Sequence, residues 1–172
     1  MTASDDLPRV VILGGGFAGL YAARTLAKAA VAVTLLDRKN HHVFQPMLYQ
    51  VATAALNPAD IAAPIRSILS KQRNCHVLLA EATRIDVAAK TVETDGGTIP
   101  FDYLIVATGA GHSYFGRDEW SGHAPGLKTI EDALEIRRRV FLSYEKAERE
   151  TCLLYTSPSP RDRTRSRMPS SA

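Results

Sequence analysis

Apolar residues in this chain alternate between short continuous runs and helical spacing. The run from Arg9 to Leu13 ends in glycine and predicts a buried parallel strand. The alanine-rich stretch from Phe17 to Ala30 carries apolar side chains at helical spacing and predicts a helix. A second apolar run from Ala32 to Asp37 predicts another strand, so the three segments form a βαβ unit.

Helix signals are also present between Leu56 and Gln72. Asn57 is a suitable N-cap, Pro58 suits the first helical position, and Asp60 favours the positive end of a helix. Pro64 cannot donate a backbone hydrogen bond to the preceding turn. We therefore predict a helix that begins at Asn57, is broken or kinked at Pro64 and restarts after it.

Residues 77–107 have the composition of strands, and the turn signal DGG at residues 95–97 predicts a hairpin within them. The run YLIVAT, Tyr103 to Thr108, predicts a strand buried on both faces. A long helix is predicted over Thr129 to Glu150, and its first residue forms a capping-box-like start with Asp132. Together these segments predict an α/β fold, a Rossmann-like βαβ unit with an inserted β-meander.

The composition changes sharply at Cys152. The remaining stretch, CLLYTSPSPRDRTRSRMPSSA, is rich in Ser, Pro and Arg and has almost no apolar face, so burial cannot offset its ordering entropy. It is either a disordered basic tail or, as we favour, translated adapter or vector sequence that is not native protein. We expect an incomplete domain over residues 8–151 and a non-native or disordered tail over residues 152–172.

The formal net charge of +3 lies in that tail, where four arginines stand against one aspartate. The body of the chain is neutral, so charge gives no reason to expect a nucleic-acid partner. No apolar run reaches the ~20 residues of a membrane span, and the N-terminus lacks the pattern of a secretory signal. The two cysteines have no metal-binding spacing, so we expect no metal site and a cytoplasmic location.

The loop between the first predicted strand and helix carries the clearest chemical signal. Gly14, Gly16 and Gly19 match G-x-G-x-x-G, which allows a tight turn, close approach of a diphosphate and close packing of helix on strand. The helix N-terminus then faces the phosphates. Asp37 follows Gly19 by 18 residues, where a carboxylate can accept hydrogen bonds from ribose hydroxyls. The loop predicts a dinucleotide, and both NAD and FAD can use it.

A second signal helps to choose between these two dinucleotides. The stretch FDYLIVATGA, Phe101 to Ala110, ends a strand in Ala-Thr-Gly, where Gly109 lets the backbone pass close to a ligand. This strand follows a β-meander instead of a further βα unit. The arrangement resembles flavoproteins with two dinucleotide-binding domains, in which the N-terminal loop binds FAD. An NAD-dependent dehydrogenase with one Rossmann unit is the weaker alternative, because no motif supplies its catalytic residue.

Within that superfamily the residues after Asp37 are the most specific. The stretch DRKNHHVFQPMLYQVATAALNPADIAAPIRSIL, Asp37 to Leu69, closely resembles type II NADH dehydrogenase, the single-subunit NADH:quinone oxidoreductase that does not pump protons. The stretch GLKTIEDALEIRRRV, Gly126 to Val140, matches the same family. The resemblance covers roughly Pro8 to Thr151, with Met47 standing where leucine is common.

The resemblance implies a bound FAD that takes a hydride from NADH and passes electrons to a quinone, with no acid–base catalyst in this chain. The implied contacts are the pyrophosphate with Gly14, Gly16, Phe17, Ala18 and Gly19, the adenosine ribose with Asp37, the adenine with Arg38 and the backbone of Ala82, and the flavin side with Thr53 and Gly109. The roles of Thr53 and Ala82 rest on motif alignment alone, and each is equally compatible with core packing.

The cysteines disfavour two related classes. Disulfide reductases need a redox pair after the first βαβ unit, and none lies between Gly14 and Asn74, while sulfide:quinone oxidoreductases also use cysteines with their flavin. Cys75 stands alone and is expected to be a small core residue. His41 and His42 lack further metal ligands nearby, so we expect them either to shape the flavin pocket or to lie on the surface.

The family has more chain than this sequence, namely a second G-x-G-x-x-G unit for NADH and a C-terminal segment that associates with the membrane and contacts quinone. We therefore expect a truncated two-dinucleotide-binding-domain flavoprotein, inactive alone, whose complete form is peripheral on the cytoplasmic membrane face. A non-catalytic FAD-binding module and another FAD-dependent pyridine nucleotide oxidoreductase stay open as alternatives.

Overall fold

The computed structural model describes residues 7–149, so the predicted tail over residues 152–172 and the predicted helix end at Glu150 lie outside it. Nine strands lie in this part of the chain: Arg9–Leu13 (β1), Ala32–Asp37 (β2), His41–Val43 (β3), Ala62–Pro64 (β4), Cys75–Leu79 (β5), Ala82–Asp86 (β6), Thr91–Thr94 (β7), Gly97–Pro100 (β8) and Tyr103–Val106 (β9). Five α-helices accompany them: Phe17–Thr25 (α1), Leu48–Ala52 (α2), Pro58–Ile61 (α3), Ile65–Ile68 (α4) and Ile130–Arg149 (α5). Short 3-10 turns cover Leu26–Lys28, Gln45–Met47 and Asp118–Gly122.

A four-stranded parallel sheet forms the centre of the fold, with the strand order β5-β2-β1-β9. Val10 of β1 lies beside Val33 of β2 on one side and beside Tyr103 of β9 on the other. The side chains of Ile12 and Leu35, in the middle of the sheet, are fully buried. The predicted βαβ unit and the α/β class are therefore confirmed.

A different layer covers each face of this sheet. On one face, Leu20 and Ala23 of α1 pack together with Ile65 of α4. On the other face lies the antiparallel meander β6-β7-β8, whose Val92 packs with Phe101 against the sheet. The predicted hairpin turn joins β7 to β8. Both layers leave the carboxyl ends of β1, β2 and β9 open to a cleft.

The helix predicted between Leu56 and Gln72 is broken and restarts after Pro64, as expected, but the break begins earlier than predicted, since α3 ends at Ile61 and α4 begins at Ile65. Its start is confirmed, because the Asp60 carboxylate accepts a 2.8 Å hydrogen bond from the backbone N–H of Asn57 at the beginning of α3. The chain then leaves the helix as β4, which pairs with β3 and places Pro64 opposite His41. Pro64 lacks the N–H that a continued helix requires, so the helix cannot run through it. The backbone of β4 instead forms its hydrogen bonds with β3.

Helix α1 is shorter than the predicted Phe17 to Ala30. It ends at Thr25, and a 3-10 turn follows. The Asn74 side chain holds the segment after the helix, since its amide Nδ2 donates hydrogen bonds to the carbonyls of Leu26 at 3.0 Å and Val31 at 3.2 Å. A residue far along the chain therefore satisfies these carbonyls, which no local pattern indicates.

Strand β9 is not buried on both faces, as its apolar run predicted. It ends at Val106, and the exposed fractions of Tyr103 and Val106 are 63% and 61%. Within residues 7–149, β9 is the outer strand of the sheet, and neither covering layer extends fully across it. Its pairing with β1 is regular, so the carboxyl ends of the two strands lie side by side.

The capping box predicted at the start of the last helix is confirmed. The Thr129 N–H donates to Asp132 Oδ2 at 2.9 Å, and the Asp132 N–H donates to Thr129 Oγ1 at 3.2 Å. The first turn of α5 packs on α2, where Ala133 joins Leu48 and Val51 in a third buried cluster. The N-terminus of α5 is thereby fixed near the ends of the central strands.

An ion pair joins the start of β1 to the residue before β9. Asp102 accepts hydrogen bonds from the backbone N–H of Arg9 at 2.7 Å and from its guanidinium at 3.1 and 3.2 Å. The hydrogen bond from the Arg9 side chain, with the one from its backbone, lowers the pKa of Asp102 from 3.8 to about 2. The pair therefore favours the ionised carboxylate in the folded protein.

We expect this pair to contribute stability that is present above about pH 4 and is lost as the pH falls towards about 2, because the folded-state pKa is the lower one. Denaturant midpoints of wild-type protein and Asp102→Asn should differ by a constant amount above about pH 4, and the difference should disappear near pH 2. A difference that does not change with pH would contradict this assignment.

Candidate dinucleotide-binding site

A cleft of about 730 Å³ lies at the carboxyl ends of β1, β2 and β9. The chain passes from β1 to β2 on one side and returns to β9 on the other, so a topological switch point lies between β1 and β9. Ligands of open α/β sheets bind at such points. The lining includes Leu13 to Ala18, Leu36 to Lys39, His41 to Val43, Gln45, Ala80 to Ala82, Val106 to Gly109 and Lys128 to Ile130.

Gly14 makes the turn that leads out of β1 into the cleft. Its φ of +102° lies in the region that favours glycine, and its N–H donates a 2.7 Å hydrogen bond to the Leu36 carbonyl. A Cβ at this position would overlap the carbonyl of Ala107. Ala107 in turn donates a 2.8 Å hydrogen bond to the Leu13 carbonyl. The Ala-Thr-Gly strand end is therefore packed directly against the glycine loop, and the two motifs share one site.

The other two glycines of the motif have different roles. A Cβ at Gly19 would overlap the Gly14 carbonyl, so this glycine lets α1 pack closely against the turn. Gly16 precedes α1 with extended backbone, and a Cβ there would meet nothing within 4 Å. The first N–H groups of a helix have no preceding helical carbonyl to bond. The loop therefore presents backbone donors beside free space, as a bound diphosphate requires.

Asp37 fixes the glycine loop to the end of β2. Its Oδ2 accepts a 2.5 Å hydrogen bond from the Gly15 N–H, and its Oδ1 accepts a 2.6 Å hydrogen bond from the Lys39 N–H. Each carboxylate oxygen keeps a second lone pair that can accept another hydrogen bond. The carboxylate is thus held by backbone groups and lines the cleft, which leaves it able to accept hydrogen bonds from a ribose.

The two adjacent histidines lie on β3 and differ in surroundings. His42 Nδ1 lies 3.1 Å from the Gly15 carbonyl. Because a carbonyl oxygen can only accept, Nδ1 carries the hydrogen and donates the hydrogen bond. The Phe17 ring packs edge-on against the His42 ring at 4.9 Å. His41 also lines the cleft, and its Nε2 is buried without a hydrogen-bond partner among residues 7–149. His42 therefore supports the glycine loop from the side.

Most of the predicted site residues meet in this cleft. They are Gly14, Gly16, Phe17, Ala18, Asp37, Arg38, Ala82 and Gly109. Gly19 lies beneath the loop. The structure does not bring Thr53 into the cleft; this residue follows α2, and its hydroxyl donates a hydrogen bond to the carbonyl of Tyr49 at 3.0 Å. A contact between Thr53 and a flavin therefore has no support in the geometry.

The start of α5 forms a wall of the cleft that the sequence did not indicate. Lys39 Nζ lies 2.6 Å from Glu131 Oε2, and the Gln45 side chain donates a 3.4 Å hydrogen bond to the Lys128 carbonyl. The hydrogen bond from Lys39 lowers the pKa of Glu131 to about 2. These partners are about 90 positions apart in sequence, so no local signal could have identified the wall.

Cys75 does not line this cleft. Cys75 lies half-buried in β5 beside Val33, and burial raises the pKa of its thiol. Its place in the hydrophobic core agrees with the expected packing role. Among the residues that the structure describes, no three metal-ligating side chains lie together. The same residues include no helix long and apolar enough to cross a membrane.

The parallel sheet, with the glycine loop at its switch point, defines an α/β protein of the Rossmann type. The family model for pyridine nucleotide-disulphide oxidoreductases matches residues 8–142, and the chain belongs to this family. Its sequence is 51% identical over 147 residues to the type II NADH:quinone oxidoreductase Ndh of Mycobacterium tuberculosis, covering 83% of this chain and 32% of that protein.

Further relatives carry the same description. The Staphylococcus aureus type II NADH:quinone oxidoreductase is 33% identical over 141 residues, which cover 80% of this chain and 35% of that protein. The chain thus spans about a third of the length of the curated relatives it matches. The resemblance to type II NADH dehydrogenases is confirmed.

Solved structures support the same fold. NDH2 from Plasmodium falciparum, solved in complex with NADH, superposes with a TM-score of 0.74 at 26% identity, covering 82% of this chain and 30% of that one. The sulfide:quinone oxidoreductase of Aquifex aeolicus superposes with a TM-score of 0.71 at 29% identity, covering 80% of this chain and 32% of that one. The predicted fold class is therefore confirmed by comparison as well as by topology.

Proposed function

We propose that this chain supplies the FAD-binding part of a type II NADH:quinone oxidoreductase. The observation that carries the proposal is the meeting of three features around one cleft, namely the open space at Gly16, the carboxylate of Asp37 and the strand end at Gly109. Any one of them is common in nucleotide-binding proteins. Their combination at a topological switch point is what a dinucleotide with two distinct ends requires.

The cleft fits FAD in volume and in the order of its groups. A volume of about 730 Å³ lies within the usual range for cofactor sites. The N–H groups of Phe17 and Ala18 begin α1 and would face the diphosphate. Asp37 would accept hydrogen bonds from the adenosine ribose, with Arg38 and Ala82 at the adenine end. Gly109 would lie towards the flavin.

Two observations favour FAD over NAD as the occupant. The meander β6-β7-β8 stands between β5 and β9, where a dehydrogenase with one Rossmann domain more often continues with βα units. The relative that is 51% identical is a type II NADH:quinone oxidoreductase, and the resemblance to that family implies FAD at the N-terminal glycine loop. When bound, FAD would supply the acceptor for a hydride from NADH and the donor of electrons to a quinone. The residues of this chain bind and orient it, and we propose no acid–base catalyst among them.

The substrates and the location belong to the same proposal. NADH and a membrane quinone would be the partners of the complete protein, which would associate peripherally with the cytoplasmic face of the membrane. The Aquifex aeolicus sulfide:quinone oxidoreductase has a similar fold, but the core position of Cys75 gives no support for sulfide chemistry in the described cleft. Residues 8–151 would form the cofactor-binding unit.

We expect the 172-residue chain to bind FAD and to show no NADH:quinone turnover, since it contains one G-x-G-x-x-G loop and spans about a third of its relatives. FAD titration followed by flavin fluorescence should give saturable one-to-one binding. NADH oxidation with added FAD and a soluble quinone should stay at background, with the complete Mycobacterium tuberculosis relative as positive control. Turnover approaching that of the control would contradict the proposal that this chain supplies only the FAD-binding part of the enzyme.

A further inference from the structure

The linker between β5 and β6 is the part of the cleft wall beside Asp37. Leu79, the last residue of β5, pairs with Asp37, and the next residue, Ala80, donates a 3.1 Å hydrogen bond to the Asp37 carbonyl. Ala80, Glu81 and Ala82 all line the cleft. Because Asp37 marks the ribose end of a dinucleotide, this linker flanks the adenosine end.

The tip of the β7–β8 hairpin holds this linker from the outside. Asp95 Oδ1 accepts a 3.0 Å hydrogen bond from the Glu81 N–H, and the Asp95 N–H donates a 3.3 Å hydrogen bond back to the Glu81 carbonyl. The next residue, Ala82, pairs with Thr94. Asp95 itself lines no part of the cleft.

The side-chain bond matters because the regular pairing stops at this point. The register of β6 on β7 shifts between Ala82 and Arg84, so the ladder alone does not fix the path of the linker. The hairpin tip is itself closed by hydrogen bonds, since Thr94 pairs with Gly97 and its Oγ1 donates a 2.7 Å hydrogen bond to the Gly97 carbonyl. The tip can therefore hold a linker whose other bonds are the backbone contacts of Ala80 with Asp37 and of Glu81 with Asp95.

We propose that Asp95 is a positioning residue for the adenosine end of the bound cofactor, acting through the Glu81 backbone. This inference rests on the proposed function, because it requires FAD in the cleft. The DGG turn then does more than reverse the chain, since its aspartate sets the distance between the linker and Asp37. Loss of that hydrogen bond lets the wall move, and both FAD and its ADP half bind more weakly.

The test compares Asp95→Ala with two matched variants. Asp95→Asn keeps an oxygen that can accept from the Glu81 N–H. Asp86→Ala removes the same kind of bond from the other end of the meander, where Asp86 Oδ1 accepts a 2.8 Å hydrogen bond from the Ala89 N–H, away from the cleft. Dissociation constants for FAD and for ADP are measured by titration with each protein.

We expect Asp95→Ala to weaken FAD and ADP by the same factor, about five- to tenfold, as loss of one exposed hydrogen bond allows. Asp95→Asn and Asp86→Ala should stay within about twofold of wild type. Unchanged binding by Asp95→Ala, an equal loss in Asp86→Ala, or a loss for FAD without one for ADP would each overturn the inference.

Hydrogen exchange separates this inference from the proposed function. The Glu81 amide should exchange faster in Asp95→Ala than in wild type or Asp86→Ala, whether or not a nucleotide is present. If wild-type protein binds neither FAD nor ADP, the proposed function fails. An unchanged Glu81 exchange rate in Asp95→Ala shows instead that Asp95 does not hold the linker.

Discussion

Replacing Gly16 by valine is expected to weaken FAD binding about a hundredfold while the protein stays folded. The backbone at Gly16 is extended, with φ −73°, and a Cβ there meets no atom within 4 Å. The valine side chain would occupy the free space through which a diphosphate approaches the helix N-terminus. Loss of one or two charge-assisted hydrogen bonds of about 1.5–3 kcal/mol each gives an effect of this size.

Gly111→Val is the matched control for this substitution. A Cβ at Gly111 also meets nothing within 4 Å, and Gly111 does not line the cleft. Both variants should unfold near the wild-type denaturant midpoint, with the small cost of a β-branched residue at a helix N-cap in Gly16→Val. Equal FAD affinity in the two variants would show that the diphosphate does not pass this position.

Replacing Asp37 by alanine should weaken FAD binding by a similar or larger factor. The substitution removes the acceptors for the N–H groups of Gly15 and Lys39, which hold the loop, and also the proposed ribose contact. Hydrogen bonds to a carboxylate contribute about 1.5–3 kcal/mol each, so losses above about a hundredfold are expected. The affinity for ADP should fall with that for FAD, because both molecules carry this ribose.

Asp37→Asn separates the two roles of the carboxylate. The asparagine oxygen can accept one of the two backbone hydrogen bonds, and its NH₂ group cannot accept the other. The affinity of this variant should lie between those of wild type and Asp37→Ala. Unchanged FAD retention in Asp37→Ala would refute the assigned ribose contact, whatever happens to the stability of the loop.

The features predicted correctly from the sequence are those fixed by neighbouring residues. The βαβ unit follows from apolar runs on either side of the Gly14 turn, and the start of α5 follows from the spacing of Thr129 and Asp132. In each case the residues that determine the local structure lie within a few positions of one another. Asp37 lines the cleft because it ends the strand that pairs with β1, and its contact with a ribose stays a prediction.

The features that were missed depend on contacts between distant segments. The helix after Asn57 ends before Pro64, where β4 pairs with β3, and α1 ends before a stretch whose Leu26 and Val31 carbonyls accept hydrogen bonds from Asn74. The wall formed by the start of α5 also depends on a contact between distant segments, the ion pair of Lys39 with Glu131. The exposure of β9 was missed for a different reason. An apolar run shows that a strand can be buried, but it does not show whether the layers on the sheet extend far enough to cover that strand.

The central claim, that this cleft binds FAD through its glycine loop, is tested most directly by an amide ¹H–¹⁵N spectrum recorded during titration with FAD. We expect saturable shifts confined to the loop from Gly14 to Gly19 and to residues that line the cleft elsewhere, namely the end of β2 at Asp37 and Arg38, the linker from Ala80 to Ala82 and the strand end at Thr108 and Gly109. NADH should produce the same shifts only at much higher concentration. A folded protein whose loop signals do not respond to FAD, or respond first to NADH, would contradict the claim.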